Sequence, residues 1–416
     1  MGSCSSTRRP ERRPGDTMAA ITPSANTCPP QVGSRRVERG RARGKDFARS
    51  PAVDTSGMFP RPRSRRGLAG GLETGGWWLP NIAPVSRVGL VLGGGGVTGA
   101  AFHFGTLFAL RMATGWDPAE ADVIVGTSSG AVVAALARSH LLSIDALVGD
   151  VDGEIEFAEA LSRRVYRRSR PTGVGRWMRH GILPGLRRPG IQFAVGSPAP
   201  YSTDGIAEWL QSTIGDSGRS WPDRPTTIVA YEVESRSRVA FGTEGSPDTD
   251  LVTAVAASSA VPIVFEPVTI HGRRYVDGGV VSGTSADLVL GSPEPLDLVL
   301  VVAPMAAVGS RSDARFYEGI IDRFGSNALA GELEQVTAAW PETEVLVLRP
   351  ERSVLAETRP NPLSTAAALP AFLRTLRVMR ATLASPEVWP VLERHLAPGR
   401  RRLPWRRRLR IGSAGR

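Results

Sequence analysis

Short, continuous apolar runs alternating with helical stretches predict an α/β chain built on a mainly parallel central sheet. Two observations carry that expectation. Val88-Gly89-Leu90-Val91-Leu92, Val123-Ile124-Val125, Leu298-Val299-Leu300-Val301-Val302 and Val345-Leu346-Val347-Leu348 are apolar on both faces, as strands covered by helices on both sides must be. The first two runs each enter a glycine-bearing turn and then a helical stretch, the strand–loop–helix order of α/β units.

Composition narrows the function classes. The chain has 416 residues, 41% of them hydrophobic, enough for one large domain or two ordinary ones. Its charge lies at the ends. Residues 1–76 carry +9 and 399–416 carry +8, leaving −6 of the total +11 for the rest. A mildly acidic body argues against nucleic-acid binding. The basic ends read as solvated tails, with contact to an anionic membrane surface as the second reading. Lys45 is the only lysine, an arginine bias that points to a GC-rich coding sequence of bacterial type. Both cysteines, Cys4 and Cys28, fall in the N-terminal tail, so the body holds neither a disulfide nor a thiolate metal site.

Residues 1–76 are rich in Arg, Pro, Gly and Ser without apolar periodicity and read as disordered. Met1-Gly2-Ser3-Cys4-Ser5-Ser6 fits an acylation pattern. A start codon assigned too early, with Met18 or Met58 as the true start, is the plainer alternative. No secretory signal and no membrane-spanning run is recognised; the best run, 298–308, is short and contains Pro304. The expectation is a cytoplasmic protein, with peripheral membrane contact through the basic segments as its extension. A catalytic domain is expected over 77–310, opening at Trp77-Trp78-Leu79-Pro80. A C-terminal α/β extension follows over 311–398, then the basic tail 399–416.

The first strand ends in Gly93-Gly94-Gly95-Gly96-Val97-Thr98-Gly99, and 100–112 reads as a helix. Such a loop can cradle an anion through backbone N–H groups. A dinucleotide site would need an acidic residue about 20 positions beyond the glycines; Val123-Ile124-Val125 stands there instead. A phosphate-binding P-loop would need Gly-Lys-Ser/Thr, which is absent. An oxyanion hole remains. The second strand runs into Gly126-Thr127-Ser128-Ser129-Gly130, a G-x-S-x-G turn that strains and exposes a serine ahead of the apolar helix 131–137. By itself this turn reads equally as tight packing.

Residues 140–225 form a looser insertion. Its arginines (Arg163, Arg164, Arg167, Arg168, Arg170, Arg176, Arg179, Arg187, Arg188) alternate with Val165, Tyr166, Trp177, Met178, Ile182 and Leu183. A solvated helical insertion and a lid touching anionic head groups are both open readings. Asp204–Ile214 reads as a helix with Ile206, Leu210 and Ile214 on one face. Strands resume at Thr227-Ile228-Val229-Ala230-Tyr231 and Arg238-Val239-Ala240-Phe241, and 251–259 is a small-residue helix. The run from Val261-Pro262 leads through Tyr275-Val276 to Asp277-Gly278-Gly279, where the aspartate marks either a turn or a carboxylate held at a strand end. Phe372, Leu376, Met379 and Leu383 mark one face of the last clear helix.

The glycine loop, the serine elbow and Asp277-Gly278-Gly279, in that order, resemble the patatin-like phospholipase family over residues 86–303. The resemblance implies a three-layer α/β/α sandwich related to α/β-hydrolases and a Ser–Asp dyad without histidine. Ser128 would be the nucleophile and Asp277 the general base. Gly94, Gly95 and Gly96 would supply N–H groups to the oxyanion, and Gly99, Gly126, Gly130, Gly278 and Gly279 would be the turn glycines. The substrate implied is a lipid or phospholipid ester, with no metal or organic cofactor. One departure is Thr98, where the family often carries a basic residue; it bears on substrate preference more than on the backbone donors. The five histidines do not fit a triad. His103 lies inside the first helix, His140 after the second and His180 in the insertion. His271 is at a turn, and His395 suits the hydrolase order by position alone. The alternative function is a catalytically idle lipid-binding or scaffold protein on the same fold, and a nucleotide-binding protein is a third.

Overall fold

The computed structural model describes residues 86–143, 153–169, 175, 178, 197–307 and 316–397. The readings made for 1–76, Trp77 to Pro80, Trp177, His180 and 399–416 lie outside them. The strands are β1 (Val88–Leu92), β2 (Val123–Thr127), β3 (Arg167–Arg168), β4 (Tyr201–Ser202), β5 (Thr226–Glu232), β6 (Ser237–Phe241), β7 (Val268–Ile270), β8 (Arg273–Asp277), β9 (Leu298–Val302) and β10 (Glu344–Leu348). The helices are α1 (Gly96–Thr114), α2 (Ser129–Arg138), α3 (Glu154–Val165), α4 (Asp204–Ile214), α5 (Leu251–Ser258), α6 (Phe316–Ala339), α7 (Arg352–Thr358), α8 (Ala368–Leu383) and α9 (Trp389–His395).

One sheet runs β10-β9-β1-β2-β5-β8-β7, with β6 also paired to β5. The four pairings from β10 to β5 are parallel; those of β6, β7 and β8 are antiparallel. Alternation along the strands divides the apolar interior into two cores. Leu90, Leu92, Leu298 and Leu300 face one core, shared with Phe104 of α1, Val133 of α2, Val255 of α5 and Phe372 of α8. Val91, Val299 and Val301 face the other, with Leu329 and Val336 of α6. Helices therefore cover both faces, and the fold is a three-layer α/β/α sandwich. The short β3–β4 pair stands apart as a two-stranded ribbon.

Strand β5 explains how distant residues meet. β6 pairs along Ile228–Glu232 on one edge of β5. β2 pairs with Thr226 to Val229 and β8 with Ala230 to Glu232. Both overlap β6 along β5, so they share the opposite edge and meet end to end. β2 stops at Thr127 opposite Val229, and β8 stops at Asp277 opposite Ala230. The residue after β2 and the last residue of β8 are thereby neighbours.

Two elements differ from the sequence reading. The first helix begins at Gly96, inside the glycine loop, so Gly99 is a helical residue. Glycine's low helix propensity is overridden because Gly99 N–H bonds Gly95 O at 2.9 Å and Thr98 N–H bonds Pro362 O at 3.0 Å. The helix carrying Phe372 is not the last, since α9 follows it. In the insertion, α3 and α4 are ordinary amphipathic helices. Phe157 and Leu161 are buried on α3, and Ile206, Leu210 and Ile214 on α4.

Candidate active site

Ser128 occupies the turn between β2 and α2 with φ 56° and ψ −122°. A non-glycine residue with positive φ costs on the order of 1–3 kcal/mol and persists only where its surroundings impose it. Here they do. Ser128 N–H donates to Ser258 Oγ at 2.8 Å, and Ser258 Oγ–H donates to Val229 O at 2.6 Å, tying the elbow to α5 and β5. The flanking glycines are set by close approach. A Cβ at Gly126 would lie 2.8 Å from Ala131 Cα, and one at Gly130 would lie 1.9 Å from Leu92 O. Because that oxygen belongs to the backbone of β1, Gly130→Ala must push α2 off the sheet. It is expected to destabilise the protein by about 3 kcal/mol or more, read as a fall in thermal midpoint.

Asp277 ends β8 with its N–H on Ala260 O at 3.0 Å, and its Oδ1 accepts Gly279 N–H at 2.7 Å. The Ser128 hydroxyl stands close enough to the Asp277 carboxylate to favour its charged form. Both residues are only 5% exposed. Burial pushes the Asp277 pKa up from 3.8 to about 6, with the Ser128 hydroxyl and the bond from Gly279 pulling the other way. Gly278 lets β8 turn beside β5: a Cβ there would lie 2.5 Å from Val229 O.

The glycine loop passes directly over the serine. A Cβ at Gly94 would lie 3.2 Å from Ser128 Cβ. Gly93 N–H donates to Val302 O at 3.0 Å and Gly94 N–H to Gly283 O at 2.7 Å. The expectation that Gly94 donates to an oxyanion is therefore corrected: its N–H already holds the loop to 283. Gly95 and Gly96 have no intramolecular acceptor for their N–H groups among the described residues. Ser129, first residue of α2, is in the same position and was missed from sequence; the residue after a serine nucleophile is a recurrent oxyanion donor. The Thr98 side chain is engaged by backbone carbonyls. Its Oγ1 lies 3.3 Å from both Thr358 O and Pro362 O, fastening α1 to the segment after α7.

An apolar cavity opens beside Ser128, lined by Val97, Phe104, Phe157, Leu161, Phe265 and Phe372 among others. Its walls come from α1, α3 and α8 and from the loop before β7. Of these residues the sequence reading marked only Phe372, on one face of a helix, and it gave no sign that any of them encloses a space.

The four described histidines serve other ends. His103 Nε2 is 2.6 Å from Gly93 O. Complete burial lowers its pKa to about 4, so the ring is neutral and Nε2 donates to the loop. His140 lies 3.6 Å from Asp117, His271 Nε2 lies 2.7 Å from Asp248 O, and His395 Nε2 lies 2.6 Å from Glu344. Among the described residues there is no cluster of metal-ligating side chains, and no helix is long and apolar enough to cross a membrane.

Residues 90–290 match the model of the patatin-like phospholipase family. Uncharacterized NTE family proteins of Mycobacterium bovis and Mycobacterium tuberculosis are 28% identical over 212 residues, 49% of this chain and 48% of each relative. The chain thus spans about half the length of these relatives. Among solved structures, VipD from Legionella pneumophila matches over 72% of this chain and 67% of its own, at 12% identity and a TM-score of 0.29. Human GIVD cytosolic phospholipase A2, in complex with methyl gamma-linolenyl fluorophosphonate, matches over 75% and 59%, at 13% identity and a TM-score of 0.32.

Proposed function

From the patatin-like phospholipase domain that residues 90–290 form, we propose that this chain hydrolyses a carboxylic ester of a lipid through an acyl-enzyme on Ser128. The observation that carries the proposal is the placement of a strained serine hydroxyl beside a buried carboxylate, Ser128 beside Asp277, next to an apolar cavity that Ser128 helps to line. A serine hydroxyl is a weak nucleophile until a base takes its proton. In the proposed reaction, Ser128 Oγ attacks the ester carbonyl carbon as its proton passes to Asp277. The oxyanion that forms is held by the uncommitted N–H groups of Gly95, Gly96 and Ser129, two of which begin helices and gain from the helix dipole. Collapse breaks the ester C–O bond, and the leaving alkoxide takes the proton from Asp277. Water then attacks the acyl-serine, giving its proton to Asp277; the fatty acid leaves and Ser128 regains its hydrogen.

The apolar lining fits an acyl chain and offers no charge to a head group, so the cavity would select on chain length. Ala368→Phe, which narrows it, is expected to raise the octanoyl-over-palmitoyl ratio of kcat/KM roughly tenfold.

The base must be ionised to accept a proton. Its raised pKa therefore predicts that kcat/KM climbs as pH rises through about 6 and levels off above. On the acid side it falls about tenfold per pH unit. A titration of p-nitrophenyl ester hydrolysis reads this directly. The function itself is tested by fatty-acid release from phospholipid, lysophospholipid and triglyceride dispersions. Turnover supports it. A folded protein silent on all three, yet bound to the same vesicles, would favour the idle lipid-binding alternative.

A further inference from the structure

We propose that Glu332, on α6 and outside the family-matched residues, is a positioning residue that fixes the glycine loop and the base together through one buried carboxylate. The inference rests on the reading of Ser128 and Asp277 as the dyad. Glu332 is 7% exposed. Its carboxylate accepts the Ser282 hydroxyl, the Thr284 hydroxyl at 2.6 Å and the Ala286 N–H at 2.9 Å. Ser282 Oγ in turn accepts Thr284 N–H at 3.1 Å and Ser285 N–H at 3.0 Å. Residues 282–286 are thus wound around a single side chain, tightly enough to hold Ser285 at φ 51°.

That turn connects to the neighbours of the dyad at two points. Upstream, Val281 N–H and Ser282 N–H both bond Gly278 O, at 3.0 and 3.2 Å, next to Asp277. In its middle, Gly283 O accepts Gly94 N–H at 2.7 Å, and Gly94 packs on Ser128. Position along the turn therefore sets both where the carboxylate base stands and where the loop's free N–H groups point.

The geometry calls for a carboxylate in particular. Every partner donates to it. Ser282 cannot reverse its role, because both lone pairs of its oxygen already accept backbone N–H groups. An amide placed with its nitrogen toward Ser282 meets a saturated oxygen; flipped, it meets the Ala286 N–H. Either way a buried donor is left without an acceptor.

Glu332→Gln, Glu332→Asp and Thr284→Val would be assayed beside wild type and Ser128→Ala for kcat, KM and thermal midpoint. Glu332→Gln is expected to lose about tenfold or more in kcat with KM within about twofold, since misplacing a group by a fraction of an ångström costs the chemical step more than binding. Glu332→Asp should recover part of that loss. Thr284→Val should lose about threefold or more in kcat, and it carries the test if Glu332→Gln does not fold. A folded Glu332→Gln, or failing that Thr284→Val, with kcat within about twofold of wild type overturns the proposal. Inactive wild type would instead remove the dyad reading beneath it, so the two failures are told apart.

Discussion

Replacing Ser128 by alanine is expected to reduce ester hydrolysis at least about a thousandfold while leaving the fold intact, because the proposed acyl-enzyme forms on its hydroxyl. The change removes one oxygen. The backbone bond from position 128 to Ser258 Oγ does not involve the side chain, and alanine meets the same positive φ that serine does. What is lost is the hydroxyl proposed as the nucleophile; the bond from Gly279 N–H to the Asp277 carboxylate remains. Oxyanion donors and the apolar cavity remain, so lipid binding should persist. A purified variant with unchanged thermal midpoint, unchanged vesicle binding and no fatty-acid release would separate chemistry from capture. Retention of a tenth or more of wild-type kcat would mean that another residue attacks.

Asp277→Asn is expected to reduce kcat by about a thousandfold, and to do so without destabilising the protein. Asparagine keeps the shape and an oxygen for Gly279 N–H, but its amide cannot take a proton from Ser128. The stability side follows from linkage. The folded-state pKa of Asp277 lies above its ordinary value of 3.8, at about 6. Folding therefore disfavours the charged form, and the penalty is fully present above about pH 6. It fades as pH falls toward 4. For a shift of that size it is on the order of 3 kcal/mol. At pH 7.5 the variant should melt at the same temperature as wild type or higher, and its advantage should shrink at pH 4.5. Loss of activity with a raised melting point is the mark of a strained catalytic group. A variant that melts well below wild type would place Asp277 among ordinary structural carboxylates.

Much of this architecture is legible in the chain because burial leaves an unambiguous trace. β1, β2 and β9 read as uninterrupted apolar runs since helices cover both faces. Gly126 and Gly130 announce a sharp turn because backbone passes where any Cβ would collide. The closeness of Ser128 and Asp277 left no local trace. It depends on β2 and β8 meeting end to end along one edge of β5, a fact of pairing between segments far apart. The use of Gly94 was hidden for the same reason: its N–H looks free until 283 is brought to it. Buried charges were the least legible. Glu332 in a long helix and Arg138 at the end of another look like solvated surface. Yet Glu332 gathers a whole turn, and the Arg138 guanidinium joins Ala119 O, Ala121 O and Pro225 O. Arg359, 3% exposed, donates to Pro304 O at 2.7 Å beside the glycine loop. Pattern reading assigns charges to the surface by default; only three-dimensional placement identifies those that anchor loops.

The dyad can be tested most directly by exposing the protein to an alkyl fluorophosphonate and mapping the adduct by mass spectrometry across a pH series. Phosphonylation should fall on a single residue, Ser128, at a rate that rises with pH through about 6 and is abolished in Asp277→Asn. A protein that releases fatty acid from lipid while Ser128 stays unmodified, or whose Ser128 labels equally fast without the Asp277 carboxylate, would contradict the pairing of these two side chains.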